Sequence, residues 1–251
     1  MLYKSLVILT AASTTLAATP KGFQPATEAT LLVSYGNKAA ANGGNVLEKA
    51  VTQTAPTVGT QSKLDGTSFA VLMIDLDIPT NNPPATGTLL HWMQTGLTQS
   101  TKATALNTTT GSTNAFVLQN TKNQAAFAAY LGPAPPARVP LSHRYTQILV
   151  DTSNASTNSL NVLQTAAANR SNFNALSVLT QAGLANKVLA GNFFNVTNST
   201  TASSSGGSSR GTGTGSVTSP TQTFVPAAAV SQRASGMILA IGLVGAVFIS
   251  L

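Results

Sequence analysis

The stretch Ser68–Leu76 (SFAVLMIDL) is almost unbroken apolar, bounded by Asp65-Gly66 on one side and Pro79 on the other. So short a run between breakers, without polar alternation, reads as a strand buried on both faces. It ends on two carboxylates, Asp75 and Asp77, just before Ile78-Pro79. A period of two places both on one side of a regular strand. Two charges cannot face a dry core without a large desolvation cost. The strand end therefore opens on a polar cavity, or donors from elsewhere satisfy the pair.

Other segments have the same character. Strands are expected at Thr30–Tyr35, Thr88–Leu97, Ala115–Gln119 and Arg144–Val150. Phe173, Leu176, Val178 and Leu179 space like one face of a helix over Asn172–Ala182. Val188–Ala190 and Phe193-Phe194 return to strand or irregular structure. The expected product is a β-rich domain whose sheets pack against each other, with minor helix.

Both ends read as addresses. Lys4 precedes an apolar run, Leu6–Leu16, and then Ala17-Ala18, the layout of a secretory signal peptide spanning 1–18. Met237–Leu251 is uncharged and apolar and fits the removable tail of a GPI-attachment signal, 230–251, with the anchor accepted within 227–236. Between core and tail, residues 198–229 are rich in Ser, Thr and Gly and read as a flexible stalk. The folded part is then 19–197. Asn-x-Ser/Thr triplets at Asn107, Asn154, Asn169, Asn195 and Asn198 are candidate glycosylation sites on a secreted chain.

Charge removes several function classes. Thirteen Lys/Arg against six Asp/Glu give +7, yet charged residues are only 8% of the chain. The cations are scattered rather than clustered, so nucleic-acid binding is not expected. With no cysteine there is no disulfide framework, zinc-thiolate site or thiol catalysis. No cofactor or metal is called for. An enzyme would need a metal triad from both histidines and a carboxylate, or a hydrolytic set of Ser142, His143 and an aspartate. Within the folded part, 19–197, neither H-E-x-x-H nor a G-x-S-x-G elbow occurs.

The chemistry must use few residues. The two histidines are His91, inside the apolar run Leu89–Met93, and His143, in His143-Arg144-Tyr145. An imidazole in an apolar strand needs a partner as much as the carboxylates need donors, and economy places them together. Gly132-Pro133-Ala134-Pro135-Pro136 makes a stiff loop in which a cis peptide is plausible.

Taken in order, Asp75-Leu-Asp77-Ile-Pro79, Leu90-His91-Trp92, Gly132–Pro136 and His143-Arg144-Tyr145 resemble the phosphatidylethanolamine-binding protein family. The end signals suggest a secreted, GPI-anchored member of fungal type. The resemblance implies a mainly β fold: a large central antiparallel sheet, a smaller flanking sheet and a few peripheral helices. It also implies a small surface pocket for phosphate- or carboxylate-bearing ligands, phospholipid head groups included. Its wall would comprise Asp75, Pro79, His91, His143 and Tyr145, with Asp77 either in that wall or holding the loop, and framed by Gly132, Pro133, Pro135 and Pro136. The alternative role is that of a protein-interaction module such as a serine carboxypeptidase inhibitor. Two segments depart from the family pattern. Pro79–Pro84 lacks the usual Ser-Arg after the motif proline, and Ala137–Ser142 is bulkier than the usual glycine-rich link.

Overall fold

A computed structural model describes residues 18–36, 38–108 and 111–198. The signal segment before Ala18, the stalk beyond Asn198 and the anchor signal lie outside the described residues. Every described element belongs to one compact unit that ends by Ser203.

The elements are β1 (Leu32–Tyr35), β2 (Ala39–Ala41), β3 (Thr57–Thr60), β4 (Phe69–Pro79), β5 (Thr86–Gln99), β6 (Thr104–Thr108), β7 (Gly111–Gln119), β8 (Ser142–Asp151), α1 (Thr157–Ala168), α2 (Ala175–Gln181) and β9 (Val188–Thr197). All strand pairs are antiparallel, in the order β2-β1-β3-β7-β5-β4-β8-β9, with β6 on β7. The fold is therefore mainly β, as expected, but the two halves are one continuous path. Only two residue pairs, Thr98–Gln119 and Gln99–Leu118, join β5 to β7. Past that seam β5-β4-β8-β9 faces β2-β1-β3-β7. A parallel bridge from Thr30 to Gly191 of β9 nearly closes the circuit. Glycine is needed at 191: a Cβ there would lie 2.6 Å from Thr19 Cγ2.

The unbroken apolar run of β4 is explained by two cores. Phe69, Val71 and Met73 point between the halves, with Val33, Trp92, Leu149 and Phe194. Ala70, Leu72 and Ile74 point the other way, onto Leu163, Ala167, Phe173 and Leu179 from the helical layer. Each face removes apolar surface from water, worth about 25 cal/mol per Å². That burial gives β4 its register between β5 and β8.

The helix expected over 172–182 is shorter and starts later. Asn172 has φ +54°, a left-handed conformation that asparagine tolerates, and Asn174 caps the first turn by accepting from Ser177 N–H. The 12-residue α1 has no counterpart among the sequence expectations.

Candidate functional site

Two interruptions in the β4–β5 ladder aim the chemistry. Met73 pairs with Trp92 but Ile74 with Leu90, so His91 is an extra residue on β5. A bulge of this kind re-aims a side chain. It places His91 on the same side as core residue Trp92, whereas Leu90 faces the helices. Its ring packs edge-on against Tyr145, with centroids 5.1 Å apart. Asp75 lies opposite Tyr145 in the β4–β8 ladder. His143, two residues before Tyr145 on β8, stacks on the other side of the phenol at 6.4 Å. Four side chains from three strands thus converge at one end of the inter-sheet core.

Their hydrogen bonds fix the proton positions. Asp75 Oδ1 accepts the Asp77 N–H at 2.8 Å, and Oδ2 lies 2.7 Å from His143 Nδ1. His91 Nδ1 lies 2.7 Å from the Leu131 carbonyl. A carboxylate and a carbonyl only accept, so both Nδ1 atoms carry hydrogen. Both Nε2 atoms are left pointing into buried space. His91 Nε2, His143 Nε2 and the Tyr145 hydroxyl are all buried without a hydrogen-bond partner. His91 Nε2 is 3.9 Å from Asp75 Oδ2. Burial lowers the pKa of His91, against the opposing pull of the Leu131 carbonyl and Asp75. Burial raises that of Tyr145, and Asp75 raises it further, so the phenol keeps its proton.

A further interruption, the third along β4, corrects the expectation that Asp75 and Asp77 share a side. Asp75 pairs with Leu89 but Ile78 with Gly87, so β4 carries an extra residue between them. Asp77 consequently turns to Arg144, which lies between His143 and Tyr145 and points away from them. Its Oδ2 accepts from the Arg144 main-chain N–H and Nε, both at 2.8 Å, and its Oδ1 from an η nitrogen at 2.7 Å. Asp77, expected in the pocket wall or holding the loop, is a clasp between β4 and β8. Burial pushes its carboxyl pKa up, and the Arg144 hydrogen bonds outweigh that and hold it below the ordinary value. Pro79 closes β4 opposite Thr86, half-buried.

The expected surface pocket also needs correcting. Relative exposures of Asp75, His91, His143 and Tyr145 are 1, 3, 0 and 0%. The cluster is therefore roofed over, and the roof is the proline loop. Leu131 is bonded to His91 both ways, since its N–H donates to the His91 carbonyl at 2.8 Å. The Pro133 carbonyl accepts from Gln53 Nε2 and the Pro135 carbonyl from Asn198 Nδ2. Gly132 passes so close to Gln53 that a Cβ would lie 2.7 Å from its Oε1, while Pro136 is exposed. Among the described residues cis peptides precede Pro25, Pro84 and Pro140, and none lies within the Gly132–Pro136 stretch. A groove of about 500 Å³ on the opposite face is lined by Phe23, Leu76, Arg144 and Phe173 and by none of the four clustered residues.

Sequence reasoning missed one positioning residue. The Arg170 guanidinium donates to the carbonyls of Leu90, His91 and Ala129, tying the bulge to the roof. It sits in a polar turn after α1, with no local signal pointing to it. Ser142, the candidate nucleophile, is exposed and accepts from Thr197 Oγ1. Among the described residues no group of three His, Asp or Glu is arranged to hold a metal ion. Asn107, Asn154 and Asn169 are exposed. The Asn195 amide is spent on the Gly44 carbonyl, and that of Asn198 on Pro135.

Comparison with known proteins follows the same outline. The family model described as "PBP: Phosphatidylethanolamine-binding protein" matches residues 29–194. Phomoidride biosynthesis cluster protein N of Talaromyces stipitatus is 29% identical over 160 residues, 59% of this chain and 73% of that protein. A carboxypeptidase Y inhibitor, in crystals with its cognate proteinase, superposes with a TM-score of 0.46 at 21% identity, over 67% of this chain and 83% of that one. The phosphatidylethanolamine-binding protein of Plasmodium vivax gives 0.46 at 19%, over 70% and 90%. The family match spans β1 to β9 and takes in all four clustered residues, and on it the chain belongs to the phosphatidylethanolamine-binding protein family.

Proposed function

We propose that this protein is a non-enzymatic binder of a small phosphate- or carboxylate-bearing ligand, a phospholipid head group included. It works outside the cell, tethered to the membrane or wall by a GPI anchor. One observation carries the binding reading: three buried polar atoms, on His91, His143 and Tyr145, converge beside Asp75 with no partner. Each such atom costs about 1–3 kcal/mol when left unsatisfied. A ligand bearing several oxygens would satisfy them together once the roof admits it.

The tautomers set a condition on that ligand. With both Nδ1–H groups already donating, a neutral imidazole offers only a lone pair at Nε2. An anion also offers only lone pairs, so it enters with a proton. Either one imidazole takes up that proton, or the ligand carries it as an acidic hydroxyl. The Tyr145 hydroxyl supplies a further donor. Titrating the protein with phosphate, acetate and phosphoethanolamine, while following the His91 and His143 ring resonances, tests the reading. Both rings should shift together; no change in either at millimolar ligand overturns it.

The rival role, protease inhibition by a free chain start near Ala18 or Thr19, fits the geometry less well. Thr19 is buried, and the Ala18 N–H donates to the Thr27 carbonyl at 3.0 Å. A start at either residue would be held against the body of the domain.

The location rests on the two end signals. Phospholipase release from intact cells, followed by mass spectrometry of the released chain, reads anchor and glycans in one experiment. Glycans are expected at Asn107, Asn154 and Asn169 and not at Asn195 or Asn198, where a sugar would replace a bond the amide already makes. A recovered chain whose C-terminus carries no glycan–ethanolamine remnant, and which the phospholipase does not release, would refute the anchor.

A further inference from the structure

The groove of about 500 Å³ on the face opposite the cluster has the size of a small-molecule site. The function proposed above makes no use of it. Residues 21–24, β4, the start of β5, β8 and the turn into α2 all contribute to its wall. Phe23, Ile74 and Phe173 are buried there, Leu76 is half-buried, and Leu176 of α2 is 40% exposed. The three buried side chains belong to the core under the helices, so packing holds this apolar part of the wall in place.

The polar part of the wall is mostly donors. Gln24 Oε1 accepts the Ala26 N–H at 3.3 Å, and Asn174 Oδ1 accepts the Ser177 N–H at 2.9 Å. What each amide has left is its NH2 group. Arg144 spends Nε and one η nitrogen on Asp77, and its other η nitrogen makes no hydrogen bond among the described residues. Lys21 is exposed, with no ion pair or hydrogen bond among them. Against these stand two hydroxyls that only accept, because Thr86 has donated to the Leu76 carbonyl and Thr88 to that of Phe173. The charge decides the balance: Lys21 and Arg144 line the groove and no Asp or Glu does.

We propose that this groove is a second binding site, separate from the roofed cluster, for a small amphipathic carboxylate. A flat apolar body lies along Phe23 and Phe173, and the carboxylate accepts from Lys21 and the free η nitrogen of Arg144. The two sites differ in what they ask of an anion. The cluster must gain a proton with it, whereas the groove meets it with charges already in place.

The probe is 2-naphthoate, with naphthalen-2-ylmethylammonium, the same rings bearing the opposite charge, as its control. Calorimetry on the protein should find the anion bound about tenfold or more tighter than the cation. The affinity should stay level from pH 8 to 6, where ammonium, guanidinium and carboxylate groups keep their charge. Saturating phosphate should not displace the probe. Nuclear Overhauser effects from the naphthyl protons should reach Phe23, Phe173 and Leu176. Lys21→Glu and Leu176→Ser change exposed side chains outside both cores, and each should weaken the probe by about fivefold or more. Phosphate should still move the His91 and His143 resonances in both variants as it does in the native protein. No binding at millimolar probe, equal binding of anion and cation, or native affinity in both variants overturns the groove. So does an affinity that climbs as pH falls, with Overhauser effects to Tyr145 and displacement by phosphate, which would put the carboxylate in the cluster instead.

Discussion

Replacing Asp75 with alanine is expected to lower the stability of the domain by about 2–6 kcal/mol, because two buried donors lose their acceptor at about 1–3 kcal/mol each. The carboxylate is 1% exposed and serves two donors, the Asp77 N–H and His143 Nδ1–H. Both would be left buried without an acceptor. Asp75→Asn keeps the shape and one acceptor but turns an NH2 group toward the other donor, and about 1–3 kcal/mol is expected. Asp77→Ala provides the contrast. The Arg144 side chain is 40% exposed, so solvent takes over part of that pairing and about 1 kcal/mol is expected. Its share is present above the ordinary carboxylate pKa and disappears as pH falls through the lowered value in the folded state. Urea unfolding of the three variants, repeated in acid, checks the order. Equal losses for Asp75→Ala and Asp77→Ala would contradict it.

Sulfate affinity should rise as pH falls from 8 to 6, approaching tenfold per pH unit if one proton is bound with the anion. Sulfate does not titrate in this range, so the proton must go to the protein. The groups facing His91 are Asp75, His143, Tyr145 and Arg170, together with the Leu131 carbonyl. Burial keeps the ring neutral in the empty protein; an anion against Nε2 reverses the balance. Without ligand the sign is opposite. A histidine held below its ordinary pKa makes the unfolded chain the better proton acceptor, so stability falls as pH drops through the ordinary histidine range. Calorimetry in two buffers of different ionisation heat counts the protons. A count near one is expected; a count of zero would mean that Tyr145 and main-chain donors alone hold the anion.

Much of this arrangement could be read from the chain. The unbroken run of β4 announced burial on both faces, and the need of His91 and Asp75 for partners placed them together. Bulges were not legible, because they come from the register between strands. They bring His91 inward and send Asp77 to Arg144, reversing the simple alternation at one position and defeating it at the other. Helix α1 escaped for a different reason. Its residues are mostly Thr, Asn, Ser, Gln and Ala, and only Leu163 and Ala167 are fully buried. A stripe one residue wide leaves almost no periodic signal. Its start is set by Ser156, which caps Ser159 N–H, a contact common to turns and helices alike. The roof was visible as a run of prolines, but the bonds from Gln53, Asn198 and Arg170 that hold it come from distant segments.

Asn198 follows the last residue of β9 and holds the loop over the cluster twice, through its N–H to Leu141 and its side chain to Pro135. Whatever tugs on the polypeptide beyond this point loads those two bonds before it reaches any strand. A leash attached there would make the lid sensitive to mechanical tension, so that drag on a tethered molecule would loosen the cover while the strands beneath stayed paired.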